Sequence, residues 1–525
     1  MISIEKNYDL VVIGGGINGT SIARDAALRG LKVLLLEKDD YASGASSKTS
    51  KLIHGGLRYL EQGALTLVKE SIRERNLLLK NAPHLVKPLE FLFPVYKGDK
   101  RPLWMVQLGL CLYDFLDSSS PLASHRKMSQ REIHDQFPFL KTNSLRGGFL
   151  YYDAQMQDHR LVIENVLSAR EHGAHLLNYT EVTGLLKEKG KIYGVCYKSS
   201  RRGLKGEVSA NIIVSACGAW SNEILALDIP DATPIVRPTK GVHLVIPKLK
   251  TQTALILSTR QDGRIFFLMP WGDYSLLGTT DTDYQGDPNV VTVEDNDVNY
   301  LLTAINQYLS SNKFTKDNVI ASFAGLRPLR ASKQAKSHHI GREHLLKTTT
   351  SGIIYVVGGK YTTARKVAEE TVDIVISRLK KSTTPCMTHK IPLYGGLEHA
   401  LSHASNKEIS ALAEKSNITP GQLQRLFQTY GSAYPKVLDL IANTDQGNKN
   451  LCPHHPHMIA ELIYAITEEQ TLTLEDWFLR RTWLGYSRRC SLQCVQNIAN
   501  HFAKILDWTN EQTQKEIHAY VNSHQ

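Results

Sequence analysis

The sequence lacks any long hydrophobic run. None of its apolar stretches reaches the roughly 18 residues that a helix needs to span a bilayer, so a transmembrane protein is not expected. The first residues also lack the charged leader, apolar centre and cleavage site of a secretory signal, because residues 1–9 are polar and lead directly into an apolar stretch. A secreted protein is therefore not expected either.

Cysteine is scarce and odd in number. The 7 cysteines of the 525 residues are widely spread, which favours a reducing compartment and argues against a disulfide framework. One segment, residues 452–457, combines cysteine with histidine and reads Cys-Pro-His-His-Pro-His. Two prolines interrupt it and no second pair of ligands is near, so we expect an ordinary loop and no metal site.

The composition is otherwise that of a globular protein with more than one domain. Hydrophobic residues make up 42% and charged residues 22%, which is ordinary, and 525 residues exceed what one hydrophobic core holds. The net charge of +11 favours anionic partners such as phosphorylated metabolites or acidic lipid surfaces. The basic residues are scattered and no segment resembles a nucleic-acid-binding module, so nucleic acid is not an expected partner.

The clearest motif lies near the N-terminus. Residues 8–13 form an apolar run typical of a buried parallel strand, and residues 14–19, Gly-Gly-Gly-Ile-Asn-Gly, follow at once. This is the dinucleotide-binding fingerprint, whose glycines permit a tight turn, close approach of a pyrophosphate and close packing of strand and helix. The helix predicted over residues 20–28 points its free N–H groups at the phosphates. The expected cofactor contacts are Gly14, Gly15, Gly16, Asn18 and Gly19.

Glu37 indicates which dinucleotide is bound. It ends the second predicted strand, residues 31–36, about 20 residues after the glycines, where a carboxylate accepts hydrogen bonds from a ribose and repels a 2′-phosphate. FAD or NAD is thus favoured over NADP. The chain then runs into small and hydroxyl residues at 43–51 instead of another strand and helix, which favours an extended FAD. Ser46, Ser47 and Lys51 are expected to contact it.

Residues 50–61 read Ser-Lys-Leu-Ile-His-Gly-Gly-Leu-Arg-Tyr-Leu-Glu. Two adjacent glycines do not suit a helix interior, where each costs about 1 kcal/mol against alanine. We interpret the segment as backbone that passes close to the flavin and directs polar side chains towards it. His54, Gly55 and Gly56 are therefore expected cofactor contacts.

Together these segments closely resemble the FAD-dependent glycerol-3-phosphate dehydrogenases, the respiratory members of the D-amino-acid-oxidase-like flavoprotein superfamily. The likeness extends along nearly the whole chain. Further matching segments are residues 212–220, 240–245, 270–271, 277–281, 325–329 and 358–363. The resemblance implies an α/β fold, with a Rossmann-like FAD-binding domain, an interleaved antiparallel-sheet substrate domain and an all-α C-terminal domain.

The domain boundaries are predicted from composition and from this resemblance. The FAD-dependent oxidoreductase domain covers residues 1–385, and a polar linker around residues 380–388 leads to a C-terminal helical domain over 386–525. The FAD segments are predicted at about 1–80, 150–235 and 340–380, and the substrate segments at about 81–149 and 236–339. Helices of the C-terminal domain are predicted at 408–427, 456–468, 474–481 and 491–506.

The resemblance implies oxidation of sn-glycerol 3-phosphate to dihydroxyacetone phosphate, with FAD as first and a membrane quinone as second electron acceptor. Arg58, Arg327 and Lys360 are the cations expected to hold the phosphate, with Arg327 on a loop after residues 320–323. His243 is the leading candidate for the general base, because it and His54 are the histidines within matching segments.

Other residues are expected to orient these groups or to hold the cofactor. Tyr59 and Thr362 are predicted to orient the substrate, and a helix that begins at Thr362 or Thr363 is expected to stabilise negative charge on the flavin. The remaining predicted cofactor contacts are Val182, Gly218, Gly359, Lys360 and Thr362. The predicted catalytic group is His243, Arg327 and Lys360.

The resemblance also implies a cytoplasmic protein, bound peripherally to the inner face of the cytoplasmic membrane, with an anionic membrane surface as partner. The sequence leaves the oligomeric state open, with a homodimer as one option. Residues 102–113 are apolar and follow Lys100 and Arg101. They are interpreted either as a buried core helix or as a surface helix that dips into lipid near a quinone entry.

Two alternative activities remain open on the sequence. One is an oxygen-using glycerol-3-phosphate oxidase, and the other is an FAD-dependent amine or 2-hydroxyacid oxidase of the same superfamily. Three converging cations suit a phosphate better than a carboxylate, which favours the dehydrogenase. The anaerobic multi-subunit form is disfavoured, since Cys490 and Cys494 alone cannot hold an iron–sulfur cluster.

Overall fold

The computed structural model describes residues 4–117, 121–311, 313–331, 343–402, 404–487 and 492–524. Its helices are α1 (Ile17–Leu28), α2 (Leu65–Asn81), α3 (Leu103–Leu116), α4 (Gln130–Gln136), α5 (Asp158–Glu171), α6 (Ser221–Asp228), α7 (Asp295–Asn306), α8 (Ala364–Leu379), α9 (Asn406–Lys415), α10 (Pro420–Tyr430), α11 (Tyr434–Asn443), α12 (Ile459–Thr467), α13 (Leu492–Leu506) and α14 (Asn510–His524). Its strands are β1 (Asn7–Ile13), β2 (Val33–Leu36), β3 (Leu52–Ile53), β4 (Val86–Tyr96), β5 (Arg126–Met128), β6 (Leu145–Met156), β7 (His175–Leu177), β8 (Thr180–Glu188), β9 (Lys191–Ser199), β10 (Lys205–Ser215), β11 (Val236–Pro247), β12 (Ala254–Ser258), β13 (Ile265–Trp271), β14 (Tyr274–Gly278), β15 (Thr282–Asp283), β16 (Ala321–Arg330), β17 (His344–Thr348), β18 (Ile354–Gly358), β19 (Asn450–Cys452) and β20 (His455–Met458). Cys490 and Ser491 lie outside the described residues, as do residues 340–342 of the third predicted FAD segment.

The first sheet forms the Rossmann-like part of the fold. Its strand order is β17-β18-β10-β1-β2-β7, and β1 runs parallel to both β2 and β10. Apolar residues of α1, α5 and α8 cover one face, while the β8–β9 hairpin and α6 cover the other. Because both faces are covered, β1 and β2 are apolar without alternation, as expected for a buried parallel sheet.

The second sheet is mainly antiparallel and lies on the substrate side. Its order is β15-β11-β14-β13-β12-β4-β6-β3, with β16 paired to β11 and β5 paired to β6. In the pair β11–β16, His243 stands opposite Phe323 and Thr239 opposite Arg327. Arg327 therefore lies on a strand, and its predicted position on a loop is wrong. Strand β6 also crosses the predicted segment boundary at 149/150.

The C-terminal part is helical, as predicted, and the mixed fold class is confirmed. The predicted helix over 408–427 is two helices, because the Thr419 hydroxyl caps a new helix at Pro420. The predicted helix over 456–468 begins with strand β20, and the one over 474–481 is a π-helix, Asp476–Arg481. Helices α11 and α14 were not predicted.

Two cysteines of this domain form a disulfide, which corrects the expectation from cysteine spacing. Cys452 and Cys494 are joined with their Cα atoms 5.4 Å apart. They are 42 positions apart in sequence and meet because β19 packs against α13. Residues 450–458 form the β19–β20 hairpin instead of an ordinary loop. Among the residues that the structure describes, no cluster of three or more His, Cys, Asp or Glu side chains is arranged to hold a metal ion.

Helix α3 contains residues 103–116 and combines a buried face with an exposed one, so it is not wholly a core helix. Val106, Leu110 and Tyr113 are buried, so this face belongs to the core. The opposite face carries Trp104, Leu108 and Phe115, which are 68%, 65% and 76% exposed. The segment is thus an amphipathic surface helix with an apolar outer stripe. In the described ranges, no helix is both long and apolar enough to cross a membrane.

Candidate active site

One large cavity lies between the two sheets and reaches the C-terminal domain. Its volume is about 1600 Å³, which exceeds the roughly 300–1,000 Å³ of ordinary small-ligand pockets and suits a long ligand. The turn between β1 and α1 lines one region, and strands β11 and β16 line another. The fingerprint and the predicted substrate residues therefore face the same space.

The glycine turn has the geometry of an anion site. Gly14 adopts φ +108°, and a side chain at Gly19 would place its Cβ 1.9 Å from the Gly14 carbonyl oxygen, so strand and helix can only pack this closely with glycine. Helix α1 starts at Ile17 with its N-terminus at the cavity. The Asn18 side-chain oxygen is buried there with no hydrogen-bond partner in the described part of the chain. The backbone N–H groups of the turn and of the start of α1 fit a pyrophosphate, whereas the Asn18 oxygen is an acceptor and suits a hydroxyl donor of the cofactor.

Glu37 occupies the end of β2, where the sequence predicts the ribose contact. Its carboxylate accepts hydrogen bonds from the N–H groups of Gly15 at 2.5 Å and Asp39 at 2.9 Å. Burial raises the pKa of Glu37 to about 7, against these two hydrogen bonds. A half-buried acceptor that lines the cavity suits ribose hydroxyl donors, so the residues at this end fit the adenosine half of FAD.

The serine-rich loop contributes to the cavity wall unevenly. Ser46 lines the cavity and accepts the Ile17 N–H at 2.9 Å, which links the loop to the start of α1. Ser47 and Lys51 do not line it. The Lys51 ammonium is buried 2.8 Å from the Asp158 carboxylate and holds the pKa of that acid low against the effect of burial. Lys51 thus forms an internal ion pair behind the wall.

The segment from His54 to Gly56 is fixed on both sides. The His54 N–H donates to the Thr362 hydroxyl at 3.3 Å, and the Gly55 N–H donates to Asp153 Oδ1 at 3.1 Å. A Cβ on Gly55 would lie 2.2 Å from the Tyr113 hydroxyl. Gly55 is therefore required for packing against α3, and it does not line the cavity. The sequence predicted that Gly55 lets the backbone pass close to the flavin, whereas the structure shows that glycine is needed here to make room for Tyr113.

Three predicted substrate residues stack at the cavity edge. The Lys360 ammonium lies 3.9 Å from the centre of the Tyr59 ring and donates to the Ser71 hydroxyl at 2.9 Å. The Arg58 guanidinium lies 5.5 Å from the same ring centre. Tyr59 is buried and Arg58 is exposed. The ring thus holds two cations at one side of the cavity.

His243 is buried on β11 in an environment that keeps it neutral. Gly278 leaves room for the ring, since a Cβ there would lie 2.2 Å from His243 Cδ2. Nε2 hydrogen-bonds the Ser50 hydroxyl at 2.8 Å, whereas Nδ1 is buried and has no hydrogen-bond partner among the described residues. Burial lowers the pKa of His243 well below its usual value, and the nearby charges of Arg327 and Lys51 lower it further. A neutral imidazole can accept a proton.

Arg327 projects from β16 into the same region. Nη2 donates to the Thr279 hydroxyl at 2.8 Å and Nη1 to the Thr280 carbonyl at 3.1 Å, while Asp281 lies 3.5 Å away. These bonds fix the plane of the guanidinium, which suits bidentate recognition of an oxyanion.

The structure brings most predicted residues to the cavity. Those that line it are Gly14, Gly16, Asn18, Glu37, Ser46, His54, Gly56, Arg58, Tyr59, Val182, Gly218, His243, Arg327, Gly359, Lys360 and Thr362. Those that do not are Gly15, Gly19, Ser47, Lys51 and Gly55. Ser50 and Asp281, which contact His243 and Arg327, were not predicted as site residues. Both lie in segments that carry the family resemblance, residues 50–61 and 277–281.

Family models match both parts of the chain. A model described as FAD dependent oxidoreductase matches residues 9–374. A second, described as the C-terminal domain of alpha-glycerophosphate oxidase, matches residues 386–513.

Similar proteins cover the chain almost completely. The chain is 36% identical to the glycerol-3-phosphate dehydrogenase of Synechocystis sp., over 98% of this chain and 95% of that protein. It is 33% identical to the mitochondrial glycerol-3-phosphate dehydrogenase of Mesocricetus auratus, over 98% of this chain and 72% of that protein. A solved structure, the glycerol-3-phosphate dehydrogenase from Bacillus halodurans complexed with FAD, superimposes with a TM-score of 0.82 at 29% identity, over 99% and 95% of the two chains.

Proposed function

The chain belongs to the family of FAD-dependent glycerol-3-phosphate dehydrogenases, and on that premise we propose that it oxidises sn-glycerol 3-phosphate to dihydroxyacetone phosphate. Its cofactor is FAD. The glycine turn at Gly14, together with Asn18 and Glu37, would hold it, and bound FAD would supply the hydride acceptor for C2 of the substrate. The chain itself must bind the phosphate, orient C2 and take the proton from the C2 hydroxyl.

His243 is the proposed general base. Loss of the C2 hydroxyl proton requires a neutral acceptor, and burial together with the charges of Arg327 and Lys51 keeps this imidazole neutral at pH 7. Ser50 holds Nε2 at 2.8 Å and so fixes the ring. The imidazole is therefore positioned in the wall of the cavity in which the substrate is proposed to bind.

The phosphate is proposed to bind among Arg58, Arg327 and Lys360, all of which line the cavity. Arg327 offers a planar fork held by Thr279, and Lys360 offers an ammonium held by Ser71. Arg58 is at the exposed edge, where it can meet an incoming dianion. Amine and 2-hydroxyacid oxidation need no such set of cations.

The observation that carries this proposal is the buried His243 in a cavity that Arg327 and the dinucleotide fingerprint also line. The direct test is anaerobic mixing of the holoenzyme with substrate, followed by the flavin absorbance. Glycerol 3-phosphate is expected to bleach the flavin, whereas glycerol, alanine and lactate leave it oxidised. Bleaching by alanine or lactate but not by glycerol 3-phosphate would overturn the proposal.

We further propose a membrane quinone as the second acceptor and an anionic membrane surface as the place where it is met. The apolar outer stripe of α3, formed by Trp104, Leu108 and Phe115, is the proposed lipid contact. Lys100 and Arg101 line the cavity just before α3 begins, so the first residue of the stripe, Trp104, follows closely in sequence after these residues of the cavity wall. The net charge of +11 favours an anionic surface.

The acceptor can be tested separately from the substrate. A soluble quinone analogue is expected to reoxidise the glycerol-3-phosphate-reduced enzyme much faster than dissolved oxygen does. Rapid reoxidation by oxygen, with one hydrogen peroxide formed per turnover, would instead identify an oxidase. That outcome would leave the proposed substrate intact.

A further inference from the structure

The loop that follows Glu37 is anchored in the C-terminal domain. Asp40 is fully buried, and its carboxylate accepts hydrogen bonds from Arg480 Nε at 2.8 Å and from both terminal nitrogens of Arg481 at 2.9 and 3.0 Å. Both arginines are also buried. The two guanidiniums hold the pKa of Asp40 low even though burial opposes its ionisation. The carboxylate is therefore charged and its contacts with the arginines are strong.

The anchor continues to a residue beside the ribose contact. Arg480 also pairs with Asp476 at 2.7 Å, and Asp476 accepts the Tyr179 hydroxyl at 2.6 Å. The backbone N–H of Tyr179 in turn donates to the Asp39 carbonyl at 2.8 Å. The π-helix Asp476–Arg481 thus holds the turn after Glu37 at two points. Arg480 and Arg481 bind the Asp40 side chain, and Asp476 binds Tyr179, whose N–H binds the Asp39 carbonyl.

The last helix closes the same end of the cavity. Glu516 of α14 is buried and pairs with Arg201, whose guanidinium lies 5.6 Å from the centre of the Tyr179 ring. Tyr520, one turn further, stacks on Phe478 with ring centres 4.5 Å apart. Glu516, Tyr520 and Arg480 all line the cavity, together with Tyr179.

We propose that the C-terminal helical domain is a structural part of the FAD site, in which Arg480 and Arg481 position the adenosine-binding turn through Asp40 and α14 closes the adenosine end through Glu516. Asp40, Arg480 and Arg481 are positioning residues, since they act through the turn after Glu37, and Glu516 positions α14 through Arg201. The inference depends on FAD as the cofactor and not on the identity of the substrate or the second acceptor. It gives the C-terminal domain a role in cofactor retention.

The rate at which FAD leaves the full-length holoenzyme tests this role. The enzyme is diluted and the rise in free-flavin fluorescence is followed. Asp40→Asn is expected to speed release about tenfold, because loosening the turn lowers the fraction held in the binding-competent state and the apparent Kd rises in inverse proportion to that fraction. Glu516→Gln is expected to speed it roughly 2- to 5-fold, the range for a partly exposed ion pair.

The matched control is Glu461→Gln in the same domain. Glu461 is buried and pairs with Arg425 at 2.7 Å, but it does not line the cavity. It undergoes the same chemical change as Glu516 and also accepts the Met458 N–H at 2.8 Å, so a general loss of domain stability would appear in it at least as strongly. Its FAD release rate is expected to stay within about twofold of the wild type.

Hydrogen exchange gives a second readout that needs no variant. FAD is expected to slow exchange in peptides from residues 476–481 and from α14 of the full-length protein, as well as in the glycine turn. If Asp40→Asn fails to fold, the FAD release rate of Glu516→Gln and the hydrogen exchange of the wild type still test the proposal. The proposal is overturned if FAD leaves exchange in both peptides unchanged, or if Glu461→Gln releases FAD as fast as Glu516→Gln.

Discussion

Arg58 lies at the exposed edge of the cavity, over the Tyr59 ring that also carries Lys360. Removing a charged hydrogen-bond partner costs about 1.5–3 kcal/mol, and solvent exposure places Arg58 at the low end, so Arg58→Ala is expected to lower kcat/KM for glycerol 3-phosphate about tenfold. Arg58→Lys is expected to recover part of this loss, because it keeps the charge but not the planar fork. Steady-state kinetics with an unchanged flavin spectrum provide the measurement.

Unphosphorylated glycerol is the control for Arg58. Its turnover, however small, is expected to change by less than about twofold in Arg58→Ala, because it offers no phosphate. An equal loss with both substrates would mean that Arg58 serves the fold or the cofactor.

His243 determines the expected pH dependence. A base works only when it is deprotonated, and activity is lost as the pH falls through its pKa. Because the pKa of His243 lies well below 6.5, single-turnover flavin reduction at saturating substrate is expected to be flat from pH 8 to 6.5. His243→Asn is expected to slow this step about 10²- to 10⁴-fold. An acidic limb near pH 7 that disappears in His243→Asn would contradict the depressed pKa.

At the scale of single elements, α3 presents its apolar outer stripe to solvent. Each large apolar side chain moved from water into lipid contributes about 1.5–3 kcal/mol when fully buried, so the double change Trp104→Ser and Leu108→Ser is expected to weaken binding to anionic vesicles at least tenfold. Co-sedimentation with vesicles measures this, and thermal unfolding is expected to change little because both residues are exposed.

A matched control for α3 is Gln107→Ser, an exposed polar position on the same helix. It alters helix propensity but removes no apolar side chain, so vesicle binding is expected to stay as in the wild type. Loss of folding in the Trp104→Ser, Leu108→Ser variant would show that the stripe stabilises the fold.

At the scale of the whole molecule, the buried contacts between Asp40 and the arginine pair join the C-terminal domain to the FAD-binding sheet. Unfolding is therefore expected to be a single transition. Excess FAD is expected to raise its midpoint, since a ligand at 100 times its Kd adds about 2.7 kcal/mol to the free energy of unfolding. Calorimetry with and without FAD checks this. A C-terminal transition that FAD does not shift would contradict it.

The sequence by itself determined the cofactor and the family. The glycine fingerprint, the carboxylate at Glu37 and the serine-rich loop are local signals whose spacing follows from one strand, one turn and one helix. They can be interpreted without knowing what lies elsewhere in the chain. His243 and Arg327 were likewise identified from short matching segments, and both line the cavity.

Tertiary structure alone decided the partners of those residues. Arg480 lies 440 positions from Asp40, and Lys51 lies 107 positions from Asp158, so no local pattern indicates either pair. Position 55 likewise requires glycine because of a residue distant in sequence, Tyr113 on α3. Spacing and composition report what neighbouring residues in the chain can do, whereas packing brings distant residues into contact and assigns each buried charge its partner.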